Sequence, residues 1–233
     1  MKDLFGKAIL DYQTHNEPQN LITETNISET DEMSVAYLFR SFNEMPKIEQ
    51  KALQLSKGKI LDVGCGAGSH SLYLQEKRFD VTSIDISVNA IKACQLRGLN
   101  NARVQNLLDI HNEKFDTILL LMNGTGIFGT LSQTSLYLQK LKSLLNPNGQ
   151  ILIDSSDIIY MFDEEEDGSK WIPADGYYGE LTFTVSYKNQ TEEPFPWLYL
   201  DYNTLQNAAH ANGVNCKLIT EGEHYDYLAQ LSL

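Results

Sequence analysis

The 233-residue chain has little basic charge, few cysteines and no long apolar run. Eighteen lysines and arginines stand against 31 aspartates and glutamates, a formal net charge of −13. Such a field repels phosphate backbones and anionic membrane surfaces, and no Lys/Arg cluster with interleaved aromatics offsets it. Neither nucleic acid nor a membrane is an expected partner. Cys65, Cys94 and Cys216 are the only cysteines, an odd number with no CxxC pair. Thiols so placed read as reduced cysteines of a cytoplasmic protein. The histidines show no ligand spacing with cysteine or aspartate, so no metal is expected. The opening segment MKDLFGKAILDYQTHNEPQN lacks the apolar h-region of a signal peptide. No stretch approaches the roughly 18 apolar residues that mark a membrane span. There is no internal repeat.

What is present is an ordinary globular composition, 42% hydrophobic and 21% charged. The length suits one compact domain with a small cap. Residues 1–57 are expected to form a helical cap. Leu4, Phe5, Ala8, Ile9 and Tyr12 share one helical face; residues 14–30 are polar and read as loop. A second helix is expected over 31–43, and a third from Pro46 to before Gly58. Residues 58–233 then alternate strand and helix: KILDV, a glycine loop, a helix to Gln75, DVTSID, a Ser87-capped helix to Arg97, ARVQNLL, the continuous apolar run FDTILLLM, the amphipathic SQTSLYLQKLKSLL and QILIDSS. This order predicts a doubly wound, mostly parallel α/β sheet. The rhythm breaks after Ser156. An acidic loop (163–167) is followed by ELTFTVSYK and FPWLYL, whose period-two alternation predicts an inserted β-hairpin over about 178–200. Its aromatic stripe fits packing or a subunit interface, so a homodimer through cap or hairpin is one arrangement it allows. A helix capped by Asn203 and a final strand pair around Gly222 complete the chain.

The chemistry is concentrated in ILDVGCGAGSHSLYL, residues 60–74. A strand delivers Asp62 to the sheet edge, and Gly64, Cys65, Gly66, Ala67 and Gly68 turn sharply into a helix. Glycines there permit positive φ and close approach of a ligand to the backbone. Asp85 ends the next strand, where a carboxylate can accept both hydroxyls of a ribose. Asp109 follows the third. A dinucleotide fingerprint GxGxxG would need glycine where Ser69 stands, which speaks against a nucleotide-dependent oxidoreductase.

The GxGxG pattern after an acidic strand residue resembles motif I of the class I S-adenosylmethionine-dependent methyltransferases. Asp85, Asp109, the strand-four run and LLNPNGQILI follow in that family's order, with Asn148 replacing one glycine of the usual turn. LLLMNGTGIFGTL and ILIDSSDI are similar to segments of a group of bacterial methyltransferase-like proteins. The resemblance implies a seven-stranded sheet with an antiparallel last strand, S-adenosyl-L-methionine as cofactor, and methyl transfer to a small-molecule acceptor. It also implies roles: Gly64, Cys65 and Gly66 around the methionine moiety, Asp62 under its amino group, Asp85 on the ribose, and Ile86, Leu108 and Asp109 framing the adenine. Asn123 is expected at the crevice edge. Arg40 is expected either to clamp the cofactor carboxylate or to pair with nearby glutamates. His70, Asn123, Asp154 and Asp157 are the catalytic candidates, each with a structural role, such as helix capping, as its alternative. The absence of NPPY or DPPY argues against adenine or glutamine amino groups as acceptors. A non-catalytic binder of the cofactor, or a methyltransferase acting on protein, would carry the same cofactor residues.

Overall fold

The structure, a computed structural model, describes residues 2–163, 165, 167–172 and 176–233. Its centre is a seven-stranded sheet in the order β11-β12-β7-β6-β3-β4-β5, formed by β3 (Lys59–Val63), β4 (Asp80–Asp85), β5 (Ala102–Val104), β6 (Phe115–Leu120), β7 (Leu145–Ser156), β11 (Asn215–Glu221) and β12 (Asp226–Ser232). β3, β4, β5, β6 and β7 run parallel, and β12 enters antiparallel between β7 and β11. The apolar run of β6 lies mid-sheet, with Ile118, Leu119 and Leu120 all fully buried. Such a strand is covered on both faces, which is why it reads as continuous rather than alternating. The helices α3 (Ser69–Glu76), α4 (Val88–Leu96), α5 (Thr134–Ser143) and α6 (Tyr202–Ala211) complete this layer structure. Ser87 caps α4 by accepting from the Ala90 N–H at 2.9 Å, and Asn148 takes the left-handed turn position before the apolar part of β7 (φ 62°).

The cap differs from expectation. Helix α1 (Leu4–Thr14) and α2 (Lys47–Leu55) form and residues 15–20 are loop as expected, but most of 21–30 is strand and 31–43 is not an α-helix. β1 (Leu21–Thr25) and β2 (Ser28–Met33) make a hairpin. It joins β8 (Glu180–Tyr187), β9 (Gln190–Thr191) and β10 (Phe195–Leu198) in a second sheet, with path β10-β8-β1-β2 and β9 on β8. β1 reads as loop because only Leu21 faces inward, onto Leu4, Ile9, Val185 and Tyr187; the strand is specified by its partner, Thr23 opposite Val185. The helix expected over 31–43 is replaced after β2 by two 3₁₀ turns, Val35–Phe39 and Phe42–Glu44. Ser41 starts a new turn, with its N–H and hydroxyl both on Glu44, and so interrupts any continuous helix. The cap is therefore built from two distant chain segments, and its strand β10 packs on the turn that follows β6.

Two smaller corrections follow the same logic. The strand expected over ARVQNLL stops at Val104, because the Asn106 side chain accepts from Leu108 N–H and turns the chain. Asp201, not Asn203, caps α6 through the Thr204 N–H at 3.0 Å. Of the acidic run 163–167, Glu164 and Glu166 lie outside the described residues. Among the described residues, no helix is long and apolar enough to cross a membrane.

Candidate active site

After β3 the chain moves outward through β4 and β5, then returns to β6 on the opposite side of β3. The carboxyl ends of β3 and β6 thus flank the topological switch point, where open α/β sheets bind ligands. Residues of the glycine loop lie on the β3–β4 side. A cavity lies on the β6–β7–β12 side.

The loop from Gly64 to Gly68 is held by two N–H groups, of Gly64 and Cys65, that donate to the Ile84 carbonyl at 2.9 and 3.0 Å. Two of its glycines are required for different reasons. Gly66 has φ +52°, and a Cβ there would meet nothing within 4 Å: it faces open space in the crevice. Gly68 has φ +80°, and a Cβ would meet Leu99 and Cys94 at 2.7 and 2.9 Å, so it lets the loop pack on α4. Cys65 is buried with its sulfur 3.9 Å from that of Cys94, which in turn donates to the Gly66 carbonyl. The contact with Cys94 and burial push the Cys65 thiol well up, which makes it a poor nucleophile and a packing residue of the turn.

Asp85, at the end of β4, is half-buried. Its Oδ2 accepts from the Gly66 N–H at 3.0 Å and its Oδ1 from the Ser87 N–H at 2.8 Å. Burial raises its carboxyl pKa against the pull of these two bonds. Each oxygen accepts one N–H and retains a further lone pair, as a bidentate acceptor of two hydroxyls needs. Ile86 beside it is 56% exposed and Val104 49%, two apolar side chains left uncovered at this edge. Leu108 is half-buried and Asp109 exposed on the 3₁₀ turn Leu107–Asp109. The open Gly66 position, the bidentate acceptor and the uncovered apolar edge together fit a nucleoside cofactor with an amino-acid tail.

Arg40 and His70 meet through a residue that the sequence reading did not single out. Glu49, in the first turn of α2, is bonded to Arg40 by one oxygen and to His70 Nε2 at 2.6 Å by the other. All three are buried. Arg40 also donates to the Tyr37 carbonyl and stacks on the Tyr37 ring, so a clamp by Arg40 on a cofactor carboxylate would compete with Glu49. Burial alone would lower the His70 pKa, but Glu49 and the nearby Asp62 raise it; burial would raise that of Glu49, but His70 and Arg40 lower it. Asp62 accepts from Ser71 Oγ at 2.6 Å, and burial raises its pKa. The signal for Glu49 was legible: it falls on the apolar face of α2 with Ala52 and Leu53, three and four positions on.

The cavity of about 220 Å³ is lined by Tyr37, Pro46, Ile48 and Glu49 of the cap segment, Met122 and Asn123 after β6, Asp154, Ser155 and Ser156 of β7, and Asp226 of β12. Asp154 is fully buried; its two oxygens accept from the Met122 and Gly124 N–H groups, both at 2.9 Å. Burial pushes its carboxyl up to about 7 in spite of these bonds. Asn123 (φ 59°) accepts from Ser155 Oγ at 2.9 Å and donates to the Leu198 carbonyl of β10, tying the sheet edge to the cap. Asp157 does not join this group. It caps the 3₁₀ turn Ile158–Met161 through the Ile159 N–H and accepts from Tyr178 at 2.8 Å. Tyr37 and Asp226, which do line the cavity, carry no motif and are brought there only by the cap and the last strand. Among the described residues, no group of three or more His, Cys, Asp or Glu side chains could hold a metal ion.

Residues 54–209 match the family model of the methyltransferase domain. A SAM-dependent methyltransferase from Bacteroides fragilis, solved in complex with S-adenosyl-L-homocysteine, is 45% identical; the alignment covers 100% of this chain and 95% of that one, with a TM-score of 0.92. The chain belongs to the methyltransferase-domain family, within the class I S-adenosylmethionine-dependent group, and its cofactor is S-adenosyl-L-methionine. The ubiquinone biosynthesis O-methyltransferase of Actinobacillus pleuropneumoniae is 30% identical over 120 residues, 46% of this chain and 50% of that protein. The matches to the curated relatives span half of their length or less. The CcbJ methyltransferase from Streptomyces caelestis, 15% identical over 81% of this chain and 90% of its own, shares the fold with a TM-score of 0.62.

Proposed function

We propose that the protein transfers the methyl group of S-adenosyl-L-methionine to a small-molecule acceptor by in-line attack. The observation that supports this reading is the placement of the cavity: it lies at the carboxyl ends of β6 and β7, beside the switch point, and Tyr37, Pro46, Ile48 and Glu49 of the cap segment form one side of it. A volume of about 220 Å³ suits a small molecule better than a polypeptide segment. When bound, the cofactor supplies a methyl group already activated by its sulfonium, so the protein's task is alignment and exclusion of water. In this reading Asp85 takes the ribose hydroxyls, and Ile86, Leu108 and Asp109 frame the adenine. The backbone of Gly64, Cys65 and Gly66 follows the methionine moiety, with Asp62 beneath its amino group. Tyr37, Pro46, Ile48 and Glu49 of the cap segment order the acceptor at the β6–β7–β12 end of the crevice. Calorimetric titration with S-adenosylmethionine and its demethylated product tests the first half. Asp85→Ala is expected to weaken both by about 1–3 kcal/mol, the range for leaving buried hydroxyls unpaired. A well-folded protein that binds neither would reject the reading.

A further inference from the structure

The acceptor cavity has a one-sided lining. Glu49, Asp154 and Asp226 stand around it with Tyr37, Asn123 and Ser155, and no lysine, arginine or histidine lines it. The three carboxyl groups are not equivalent. Glu49 is taken by Arg40 and His70. Asp154 keeps one backbone N–H on each oxygen. Asp226 accepts from the His224 N–H through Oδ1 at 2.9 Å, while Oδ2 has no hydrogen bond among the described residues. An anionic acceptor would be repelled from this lining. A neutral hydroxyl would leave the half-buried charge of Asp226 uncompensated, whereas a cation pairs with it.

We propose that the cavity takes a small-molecule acceptor by its amino group, bound as the ammonium ion against Asp226, and that Asp154 receives the proton that frees the nitrogen lone pair. The proposal rests on the methyl-transfer reading above. In the step, an N–H bond of the ammonium breaks and its proton forms an O–H bond on the Asp154 carboxylate, leaving a neutral amine. The amine nitrogen then forms a bond to the methyl carbon as the carbon–sulfur bond breaks, its electron pair remaining on sulfur. The methylated nitrogen leaves positively charged, and Asp154 later returns its proton to water. Asp154 suits this part because its burial, with two N–H donors fixing the carboxylate plane, lets it hold a proton near neutrality. Its side chain faces the cavity, whereas Asp157 is turned toward Tyr178.

The test uses the full chain saturated with S-adenosylhomocysteine, and matched probes: benzylamine, benzyl alcohol and benzoate, with cyclohexylamine and cyclohexanol as a second pair. Binding is read by ligand-observed NMR. Each amine is expected to bind at least tenfold tighter than its alcohol, with benzoate weakest. Asp226→Asn is expected to bring the amine-to-alcohol ratio to within threefold while homocysteine-product affinity stays within twofold; Asp154→Asn should lower the ratio severalfold. Alcohol or benzoate binding as well as benzylamine to the unaltered protein would overturn the proposal without any variant. So would an amine preference that survives Asp226→Asn, or a variant that loses product affinity instead, which would place the cavity in the cofactor site. Failure of S-adenosylhomocysteine to bind the unaltered protein, read before any amine is added, would strike the methyl-transfer reading itself.

Discussion

Glu49 Oε2 lies 2.6 Å from His70 Nε2, in a contact that joins the cap segment to the first turn of the helix after the glycine loop. Because the other Glu49 oxygen is on Arg40, a single carboxylate compensates the buried Arg40 cation and, wherever its ring is protonated, His70 as well. Removing one partner of a buried pair leaves an uncompensated charge, typically about 3–5 kcal/mol. Glu49→Gln is therefore expected to destabilise the fold by about that amount, measured by urea unfolding. The pH dependence follows from the signs of the two shifts. The Glu49 pKa is depressed below its ordinary 4.5, so its contribution is present above 4.5 and lost as pH falls through the folded value. The His70 pKa is raised above 6.5, so its contribution is present below 6.5 and lost as pH rises through the folded value. The stability gap between the unaltered protein and the variant should be widest between these two ordinary values. A gap independent of pH would refute the charged pair.

Asp154 works in the opposite direction. Its carboxyl is raised from 3.8 to about 7, so the folded protein holds a proton that the unfolded chain has released. Stability should therefore fall as pH rises from about 4 to 7, by on the order of 4 kcal/mol for this group alone. Asp154→Asn removes the titration, although one of the Met122 and Gly124 N–H groups then faces an amide. The variant should gain on the unaltered protein at pH 8 relative to pH 5. An NMR titration of the carboxyl carbon should show its midpoint near 7; an ordinary carboxylate midpoint would sink this account.

The glycine loop separates binding from folding. Gly66→Ala places a methyl group in open crevice at φ +52°, at a strain of about 1–2 kcal/mol. It is expected to weaken cofactor binding at least tenfold with only that modest loss of stability. Gly68→Ala drives a Cβ into Leu99 and Cys94, so its damage should appear first in the unfolding midpoint. Equal effects of the two on stability and on binding would contradict this division.

The same contrast explains how much the sequence could tell. The glycine loop, Asp85, Ser87 and the apolar strands were legible because each is specified locally, by a turn conformation, a cap or a fully buried run. The hairpin 21–33 was not, because Leu21 is the single inward residue of β1 and its register is set by β8, far along the chain. Asp201 competed with Asn203 for the same cap and only geometry decided between them. Glu49 was readable as a charge on an apolar helix face. Its partners were not, since Arg40 lies between two 3₁₀ turns in a segment whose local pattern suggests helix. Asp154 was in view as a strand-end carboxylate, while Asp226 and Tyr37 reach the same cavity only through tertiary placement.

Where the cap sheet meets the sheet edge, Trp197 lies against Gly126 in the 3₁₀ turn Gly124–Phe128, and a Cβ at position 126 would come within 2.0 Å of its ring. That turn follows Asn123, which holds β10 through the Leu198 carbonyl, and contains Thr125, which donates to the same oxygen at 3.0 Å. The φ of Gly126 is not positive, so alanine there introduces crowding alone. Overpacking of this kind costs about 1–3 kcal/mol when the neighbours shift, and the neighbour with freedom to shift is the cap strand. Asp85 lies across the switch point and should not sense it; the glycine loop meets this turn only where Ile127 approaches Gly64, on the side away from Trp197 where no crowding is introduced. Gly126→Ala is accordingly expected to alter Trp197 fluorescence and to depress methyl transfer by tenfold or more, while affinity for S-adenosylhomocysteine changes less than threefold. If both fell together, the cap would be part of the cofactor site; if neither changed, closure of the cap would have no part in binding the acceptor.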